Sequence, residues 1–422
     1  MRNAYHRWHN SGMKHSSQRL VTPAISLAIF IVAMWQFLPT IDEREFHRDE
    51  ARWIHRAVYV RELANPFSDY WDESTWSVGE TLDHRNRLRA QPPVGSYLMG
   101  VGFLLQGQPL PNTGYWNMDQ DTAWNAQQGN LPSDDMLETA RRTTATLTAL
   151  TAVMIYLIGT RLTSIAGAAA GALFFAVHPL TIYLSTFAGS DAALIFFIVL
   201  SALFAARLAE NPSCPRAVLT GVAIALGGGV KLSPLGIVVA LAVVGLLLMF
   251  GKAKRSSRLG LMLLAQPLIA GLVFVISYPY LWRNPIEHSL NLLRYRTLSF
   301  ELQSSLWGQI AIDSPIEALE RIWNRFASSE WSLLGRMFDV AWPVENLIAV
   351  AGIVILLVRV LRHGFSSPTA MIAAVIGATT AITIIGMQVD WARYHWPVLL
   401  ASSMCVGLAI GAVDLRMRQA LR

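Results

Sequence analysis

Four separate segments of the sequence carry polar side chains that could perform acid–base chemistry or bind an anion. They are His47-Arg48-Asp49-Glu50, Ser190-Asp191, Lys231 and Arg393-Tyr394-His395. A carboxylate can take a proton from an attacking hydroxyl, and Lys and Arg side chains can hold an anionic group such as a phosphate. If the fold brings these segments together, they form one site that contains a base and several cations.

The composition indicates what kind of fold must position them. The chain has 422 residues, of which 53% are hydrophobic and 15% charged, whereas soluble domains carry about 25% charged residues. Apolar runs of roughly 17–21 residues recur, which is the length that a helix needs to cross a bilayer. Solid apolar runs favour helices over a barrel, whose strands alternate. The sequence therefore predicts an all-α polytopic membrane protein.

About ten transmembrane helices are predicted, within a range of 10–12. The expected spans are 21–38, 142–159, 162–182, 191–208, 216–230, 234–250, 259–279, 344–361, 369–387 and 395–413. The first lacks a following Ala-x-Ala cleavage site and is interpreted as an uncleaved anchor. Residues 1–20 are expected to form a tail, and 21–422 a single transmembrane domain.

The distribution of Lys and Arg predicts the orientation, because positive charges in short loops stay in the cytoplasm. Those on one side are Arg2, Arg7, Lys14, Arg19, Arg161, Arg207, Arg216, Lys252, Lys254, Arg255, Arg258, Arg359, Arg362, Arg416, Arg418 and Arg422. Both termini are therefore expected in the cytoplasm of a plasma (inner) membrane. The four polar segments fall on the opposite, external side, where Lys231 and Arg393 are exceptions in short loops otherwise poor in positive charge.

Two large external loops are predicted, at 39–141 and 280–343. The apolar run Val94–Leu105 lies in the first but is short for a span. If it crossed, every later loop would invert, so we expect a surface-lying or re-entrant helix. In the second loop, helical periodicity with mixed charge predicts amphipathic helices at 285–300 and 315–328.

Several classes of site are disfavoured. The net charge of +6 reflects the cytoplasmic bias rather than a nucleic-acid partner. Cys214 lies in a cytoplasmic loop and Cys405 in a span, so no disulfide is expected. The chain has no Walker loop, GxGxxG, CxxC or HExxH motif. The external histidines lack ligand spacing, so no metal is predicted, although a divalent ion stays possible.

Each candidate also has an ordinary structural interpretation. Asp49 and Glu50 could form a solvated turn instead of supplying a base. Asp191 could cap the helix that it opens, although ionisable residues at membrane helix ends are often functional. Lys231 could extend to the membrane interface, but it lacks a nearby acidic residue in sequence and is suited to an anion.

The remaining basic candidates have similar alternatives. Arg393 and Tyr394 offer several donors to a phosphate, while the aromatic residues around them would also suit an interfacial belt. Arg89, with Arg85 and Arg87, could bind a phosphate or lipid headgroups, or form a solvated basic strip.

The order of these segments resembles a known family. The segments are His47-Arg48-Asp49-Glu50-Ala51-Arg52-Trp53, Gln91-Pro92-Pro93-Val94-Gly95, His178-Pro179 through Asp191, Gly228-Gly229-Val230-Lys231 and Arg393-Tyr394-His395-Trp396-Pro397. This set is similar to the polyprenyl-phosphate-dependent glycosyltransferases of the GT-C fold. Within that fold it most resembles the protein O-mannosyltransferases and the lipid A aminoarabinose transferase (glycosyltransferase families 39 and 83).

The resemblance implies inverting transfer of a sugar from a polyprenyl phosphate to an acceptor hydroxyl at the external face. It implies Asp49 as the base, with Glu50 as the less favoured choice, and Asp191 near the acceptor or sugar. Lys231, Arg393 and Tyr394 would hold the lipid phosphate. The acceptor could be a protein, a lipid or a glycan, and no cofactor beyond the polyprenyl-phosphate-linked sugar donor is predicted.

The sequence departs from the family pattern at one point. Many relatives carry a basic residue or histidine immediately before Pro-Pro, where this chain has Gln91. A contact made there could have moved to Arg87 or Arg89. The alternative function is a transporter or flippase for a polyprenyl-linked glycan, or a non-catalytic lipid-binding partner.

Overall fold

The fold is a bundle of helices. The structure is a computed structural model that describes residues 14–75, 91–250 and 254–420. Within these ranges, pairing between extended segments is limited to one antiparallel bridge, Ala311–Val389. The predicted all-α class is therefore confirmed.

The α-helices of the described ranges are α1 Lys14–Phe37, α2 Thr40–Glu43, α3 Arg48–His55, α4 Tyr59–Glu62, α5 Val94–Leu105, α6 Thr122–Gln127, α7 Asp134–Leu162, α8 Ile165–Val177, α9 Pro179–Ser185, α10 Asp191–Glu210, α11 Cys214–Gly228, α12 Gly236–Met249, α13 Lys254–Leu264, α14 Gln266–Ile276, α15 Pro285–Leu306, α16 Pro315–Ala327, α17 Leu333–Phe338, α18 Val344–His363, α19 Pro368–Ile385 and α20 Trp396–Ala420.

Seven helical stretches of the described chain are long and apolar enough to cross a membrane. They are Val21–Glu43, Asp134–Leu162, Asp191–Glu210, Ser256–Ile276, Val344–His363, Pro368–Ile385 and Ala392–Ala420. An eighth span results if α8 and α9, which meet at 59°, count as one. The other two predicted spans correspond to α11 and to Ser233–Met249, which are apolar but shorter.

The bend between α8 and α9 has a local cause. Pro179 has no N–H to continue the helix, and the residue before a proline is pushed towards extended backbone. His178 has ψ 134°, and its Nδ1 accepts a hydrogen bond from the N–H of Leu180. The histidine therefore caps α9 at the point where α8 ends.

Helix α10 lies at the centre of the bundle. Its apolar window is 78% buried, whereas that of α18 is 17% buried. The outer helix instead exposes large apolar side chains such as Leu347, Val354 and Leu357. This is the pattern expected when α10 packs among other helices and α18 contacts lipid.

Small residues allow α8 and α20 to cross closely. A Cβ placed on Gly167 would lie 2.5 Å from the carbonyl oxygen of Gly407, and one on Gly407 would lie 2.7 Å from the carbonyl oxygen of Gly167. A side chain at either position would force the two backbones apart. Close backbone approach through glycine is a common way to join membrane helices.

Helix α5 has the bounds expected for the short apolar run, and it packs into the protein. Its first N–H, that of Val94, donates to the carbonyl oxygen of Gly229 at 2.8 Å. Met99 and Phe103 are buried, while Leu104 and Leu105 are exposed. The start of α5 therefore lies against the end of α11, next to Lys231.

The segment after α14 contains three helices, α15 to α17. Helix α16 has one buried face, formed by Ala318, Ile322 and Phe326, which confirms the predicted amphipathic helix. The amphipathic prediction for 285–300 is wrong. Only Leu292 of α15 is fully buried, and the apolar residues recur at spacings that distribute them around the helix.

Cys214 provides a test of the predicted orientation. Its side chain is exposed at the start of α11, on the side expected to be cytoplasmic. We predict that a membrane-impermeant maleimide labels Cys214 in inverted vesicles but not in intact cells. As a matched control, Cys214→Ser combined with Gln127→Cys, on exposed α6, should be labelled in intact cells. The reverse pattern would contradict the predicted topology.

Candidate functional site

The acidic pair at the start of α3 is placed by a capping box. The Nδ1 of His47 accepts from the N–H of Asp49 at 3.1 Å, and Glu50 Oε2 accepts from the N–H of His47 at 3.0 Å. Burial lowers the pKa of His47, and the nearby Asp49 and Glu50 carboxylates only partly oppose it. The ring is therefore neutral at pH 7, as an accepting Nδ1 requires.

Glu50 is enclosed by hydrogen-bond donors. Its side chain is fully buried, and Arg141 of α7 binds both carboxylate oxygens, Nε to Oε1 at 3.0 Å and Nη2 to Oε2 at 2.9 Å. Oε1 also accepts from the N–H of Ala188 at 3.0 Å. Both oxygens of this carboxylate are therefore used in hydrogen bonds that join α3, α7 and the turn before α10. We interpret it as a positioning group rather than a base.

Asp49 is placed differently. Its side chain is 27% exposed, and Oδ2 accepts from Arg393 Nη1 at 3.1 Å. The two residues lie 344 positions apart in sequence. The first and fourth predicted segments therefore meet. Of the acidic pair, the more exposed carboxylate, Asp49, is the one that contacts Arg393.

The second and third predicted segments also meet. Lys231 Nζ forms an ion pair with Asp191 Oδ1, so the carboxylate that the sequence could not identify for this lysine is the one that opens α10. The negative charge of Asp191 also attracts the positive charge of the Arg393 guanidinium. Negative and positive side chains therefore alternate in space, in the order Asp49, Arg393, Asp191 and Lys231. These four residues are here called the charge network.

A cleft adjoins this network. Its empty volume is about 330 Å³, including the open mouth. The lining includes Trp53, Gln91, Ser190, Val230, Lys231 and Arg296. Trp53 lies four residues after Asp49 on α3, which places the two on the same helix face. The cleft thus has two cations in its wall, and Trp53 connects that wall to the helix that carries Asp49.

Gln91 has a defined orientation in this wall. Its Oε1 accepts from Arg56 Nη1 at 2.6 Å, and its backbone oxygen accepts from Arg56 Nη2 at 3.1 Å. Arg56 is buried and lies 4.5 Å from the Trp53 ring centroid. The buried Arg56 guanidinium therefore fixes the amide of the residue that precedes Pro92-Pro93.

The segment before α20 surrounds Arg393 with aromatic rings. Its guanidinium carbon lies 4.2 Å from the ring centroid of Trp391 and 5.7 Å from that of Tyr394. The two rings are stacked with centroids 5.7 Å apart. A guanidinium on an aromatic face keeps its N–H groups free to point sideways. Tyr394 therefore supports Arg393 by packing.

The structure thus places most of the predicted residues together and sets Glu50 apart from the charge network. Asp49, Asp191, Lys231 and Arg393 form the charge network, whereas Glu50 lies behind it. Arg89 lies outside the described residues. Across 14–75, 91–250 and 254–420, no group of three His, Cys, Asp or Glu side chains could hold a metal ion.

Sequence reasoning missed three arginines. Arg141 binds Glu50, Arg56 holds Gln91, and Arg296 of α15 lines the cleft. Arg141 and Arg56 are buried polar residues whose partners are distant in sequence. Arg296 lies in a helix of mixed charge, and its spacing alone gives no indication that it faces a cleft.

Comparison with known proteins gives a family and a fold. Residues 52–284 match the family model described as dolichyl-phosphate-mannose-protein mannosyltransferase. No curated protein matches the chain by sequence. The matched residues contain α3 from Arg52 onward, Gln91, Asp191 and Lys231. Arg393 lies beyond them.

Solved structures share the architecture at low identity. The oligosaccharyltransferase AglB of Archaeoglobus fulgidus, in complex with an inhibitory peptide and a dolichol-phosphate, matches with TM-score 0.56 and 12% identity, over 96% of this chain and 52% of that one. The apo form of the Archaeoglobus fulgidus oligosaccharyltransferase matches with TM-score 0.54 and 14% identity, over 95% and 51%. This chain therefore spans about half the length of those proteins.

The two residues of the acidic pair should differ in their effect on stability. Glu50→Gln leaves the buried Arg141 guanidinium without its anion, which costs about 3–5 kcal/mol when one partner of a buried pair is removed. Asp49→Asn removes a partly exposed pair, which contributes about 1 kcal/mol or less. Thermal unfolding of the two purified variants in detergent measures the difference. Equal destabilisation would contradict the positioning role of Glu50.

Proposed function

The chain belongs to the family of dolichyl-phosphate-mannose-protein mannosyltransferases, and from this premise we propose that it transfers a sugar from a polyprenyl phosphate to an acceptor hydroxyl at the external membrane face. The observation that carries the proposal is the charge network beside the cleft. It joins one partly exposed carboxylate to two cations at the site where α3, α10 and the segment before α20 meet.

Asp49 is proposed as the base. Its carboxylate is the accessible one of the acidic pair, and α3 places it one turn from Trp53 in the cleft wall. It would take the proton of the acceptor hydroxyl as the hydroxyl oxygen bonds to the anomeric carbon. Glu50 is buried and hydrogen-bonded on both oxygens, so it cannot reach an acceptor without breaking those contacts.

The cations are proposed to hold the leaving phosphate. When the bond between the anomeric carbon and the phosphate oxygen breaks, that oxygen keeps the electron pair and the phosphate gains charge. Lys231 and Arg296 line the cleft, and Arg393 contacts Asp49. Fixed cations aimed at developing charge stabilise the transition state more than the ground state.

Each of the two cations in the charge network is already paired with a carboxylate. Asp191 neutralises Lys231, and Asp49 neutralises Arg393. A bound phosphate would therefore bring negative charge to cations whose carboxylates are already positioned, rather than to an unpaired charge in a medium of low dielectric constant. Asp191 is proposed to orient Lys231 and to shape the sugar side of the site.

The donor and acceptor classes follow from the same premise. The archaeal protein of the same fold is described in complex with a dolichol-phosphate and a peptide. For this chain we propose a polyprenyl-phosphate-linked sugar as donor and a protein, lipid or glycan as acceptor. The active site would face outward from the plasma (inner) membrane, with both termini in the cytoplasm.

Asp49→Asn should slow transfer strongly while sparing donor binding. We expect the transfer rate to fall by about 10²–10⁴-fold, the usual contribution of a general base. The assay uses purified protein, radiolabelled polyprenyl-phosphate sugars and membrane extract as the source of acceptor. Asp42→Asn, at an exposed position of α2, is the matched control and should transfer at the wild-type rate.

The same assay separates the alternatives. Equal transfer by the wild type and Asp49→Asn would retain the enzyme but reject Asp49 as its base. Binding of polyprenyl phosphate without donor consumption, across a panel of sugars, would instead support a carrier or a non-catalytic lipid-binding partner.

A further inference from the structure

The segment that carries Arg393 is held from outside the bundle. The N–H of Ile312 donates to the carbonyl oxygen of Gln388 at 2.9 Å, and the N–H of Asp390 donates to that of Ile310 at 2.9 Å. These two bonds flank the bridge between Ala311 and Val389. The stretch between α15 and α16 is therefore paired, like a short strand, with the residues that lead to Arg393.

Side chains strengthen this junction around one carboxylate. Asp390 Oδ1 is bound by Arg325 Nη2 of α16 at 2.9 Å and by His395 Nε2 at 2.6 Å. Burial alone would raise the pKa of Asp390, but the hydrogen bond from His395 and the charge of Arg325 lower it to about 2. Arg325, Asp390 and His395 are here called the Asp390 clasp.

The clasp is enclosed by α16. The His395 side chain is fully buried, with its ring edge-on to Phe326 at 6.1 Å between centroids. The Arg325 guanidinium carbon lies 5.5 Å from the Trp331 ring centroid. Breaking either contact to Asp390 would leave a largely buried charged group unpaired, which is costly, so the three side chains are held in a fixed geometry.

The clasp brackets Arg393 in sequence. Asp390 lies three residues before it and His395 two residues after it, so one carboxylate closes the short loop that contains it. In the same loop, Trp391 contacts Trp307, the residue that directly precedes segment 308–328, with ring centroids 5.1 Å apart. Trp391 in turn supports the Arg393 guanidinium.

We propose that the Asp390 clasp positions Arg393, so that docking of the external segment 308–328 sets the geometry of the phosphate-binding cation. Arg325 and Asp390 act through Arg393 and do not touch the substrate. This inference rests on the proposed function, since Arg393 is there assigned to the leaving phosphate. It makes the external helices part of the catalytic apparatus.

The consequence for catalysis is specific. A loosened loop keeps the Arg393 charge in the site but removes its fixed direction, and a misplacement of about 1 Å can cost about 10²-fold in rate. We expect Asp390→Asn and Arg325→Gln each to lower kcat by about 10- to 100-fold. The KM for the donor should change much less, because the extra charge on the phosphate develops during the reaction.

The matched control lies on the same helix. Arg321 is one turn from Arg325 on α16 and pairs with Glu317 at the surface. Arg321→Gln makes the same substitution and also breaks a pair with a carboxylate, but it leaves the clasp intact. It should keep the wild-type kcat. Thermal unfolding of all variants in detergent accompanies the kinetics, and Arg325→Gln serves as the test if Asp390→Asn fails to fold.

A double-mutant cycle with Arg393→Ala decides the mechanism, because effects that act through one residue are not additive. The transfer rate and the affinity for polyprenyl phosphate are measured for Arg325→Gln, Arg393→Ala and the double variant. If the clasp acts through Arg393, Arg325→Gln has little further effect once Arg393 is removed. The same factor in both backgrounds, or a wild-type kcat in Arg325→Gln, would overturn the proposal.

The failure of this proposal is distinguishable from failure of the proposed function. Transfer by the wild type that Arg393→Ala reduces, but that the clasp variants leave unchanged, would reject the clasp alone. Absence of transfer by the wild type would reject the function on which it rests.

Discussion

The buried ion pair between Glu50 and Arg141 is the contact on which the site depends. It joins α3 to α7, and through the N–H of Ala188 it also fixes the turn that leads into Asp191. A buried pair of this kind contributes little net stability, because desolvation opposes the attraction. Its effect is on geometry, since the pair leaves the start of α3 and the start of α10 few ways to move independently.

This constraint explains why two neighbouring carboxylates have different tasks. Adjacent residues on a helix point about 100° apart, so Asp49 and Glu50 cannot both point in the same direction. Glu50 faces inward, where Arg141 and two backbone N–H groups saturate it. Asp49 is left at the edge of the site, beside Arg393. The capping box with His47 fixes which residue occupies which position.

Much of this arrangement could be predicted from the sequence because the membrane restricts the possibilities. Long apolar runs define most spans, and the Lys and Arg count assigns their ends to two sides, so Asp49, Asp191, Lys231 and Arg393 were expected on one face. Their pairing could not be predicted, because it depends on contacts between residues far apart in the chain. The same limit hid Arg141 and Arg296, which lie among ordinary polar positions of helices.

The two cations of the charge network are held by different parts of the molecule. Lys231 follows directly from the end of α11, where its N–H donates to the carbonyl oxygen of Gly227 at 3.1 Å, so its position depends on the bundle. Arg393 lies in a loop whose other face is paired with the external segment. We therefore infer that the bundle places one cation and that the paired segment 308–328 places the other. Lys231 lines the cleft and Arg393 joins it through Asp191 and Asp49. Two cations held independently in this way would restrict the orientation of a phosphate bound between them. Contact between Arg393 and Asp49 then links the external segment to the proposed base as well, so the segment affects both sides of the transfer.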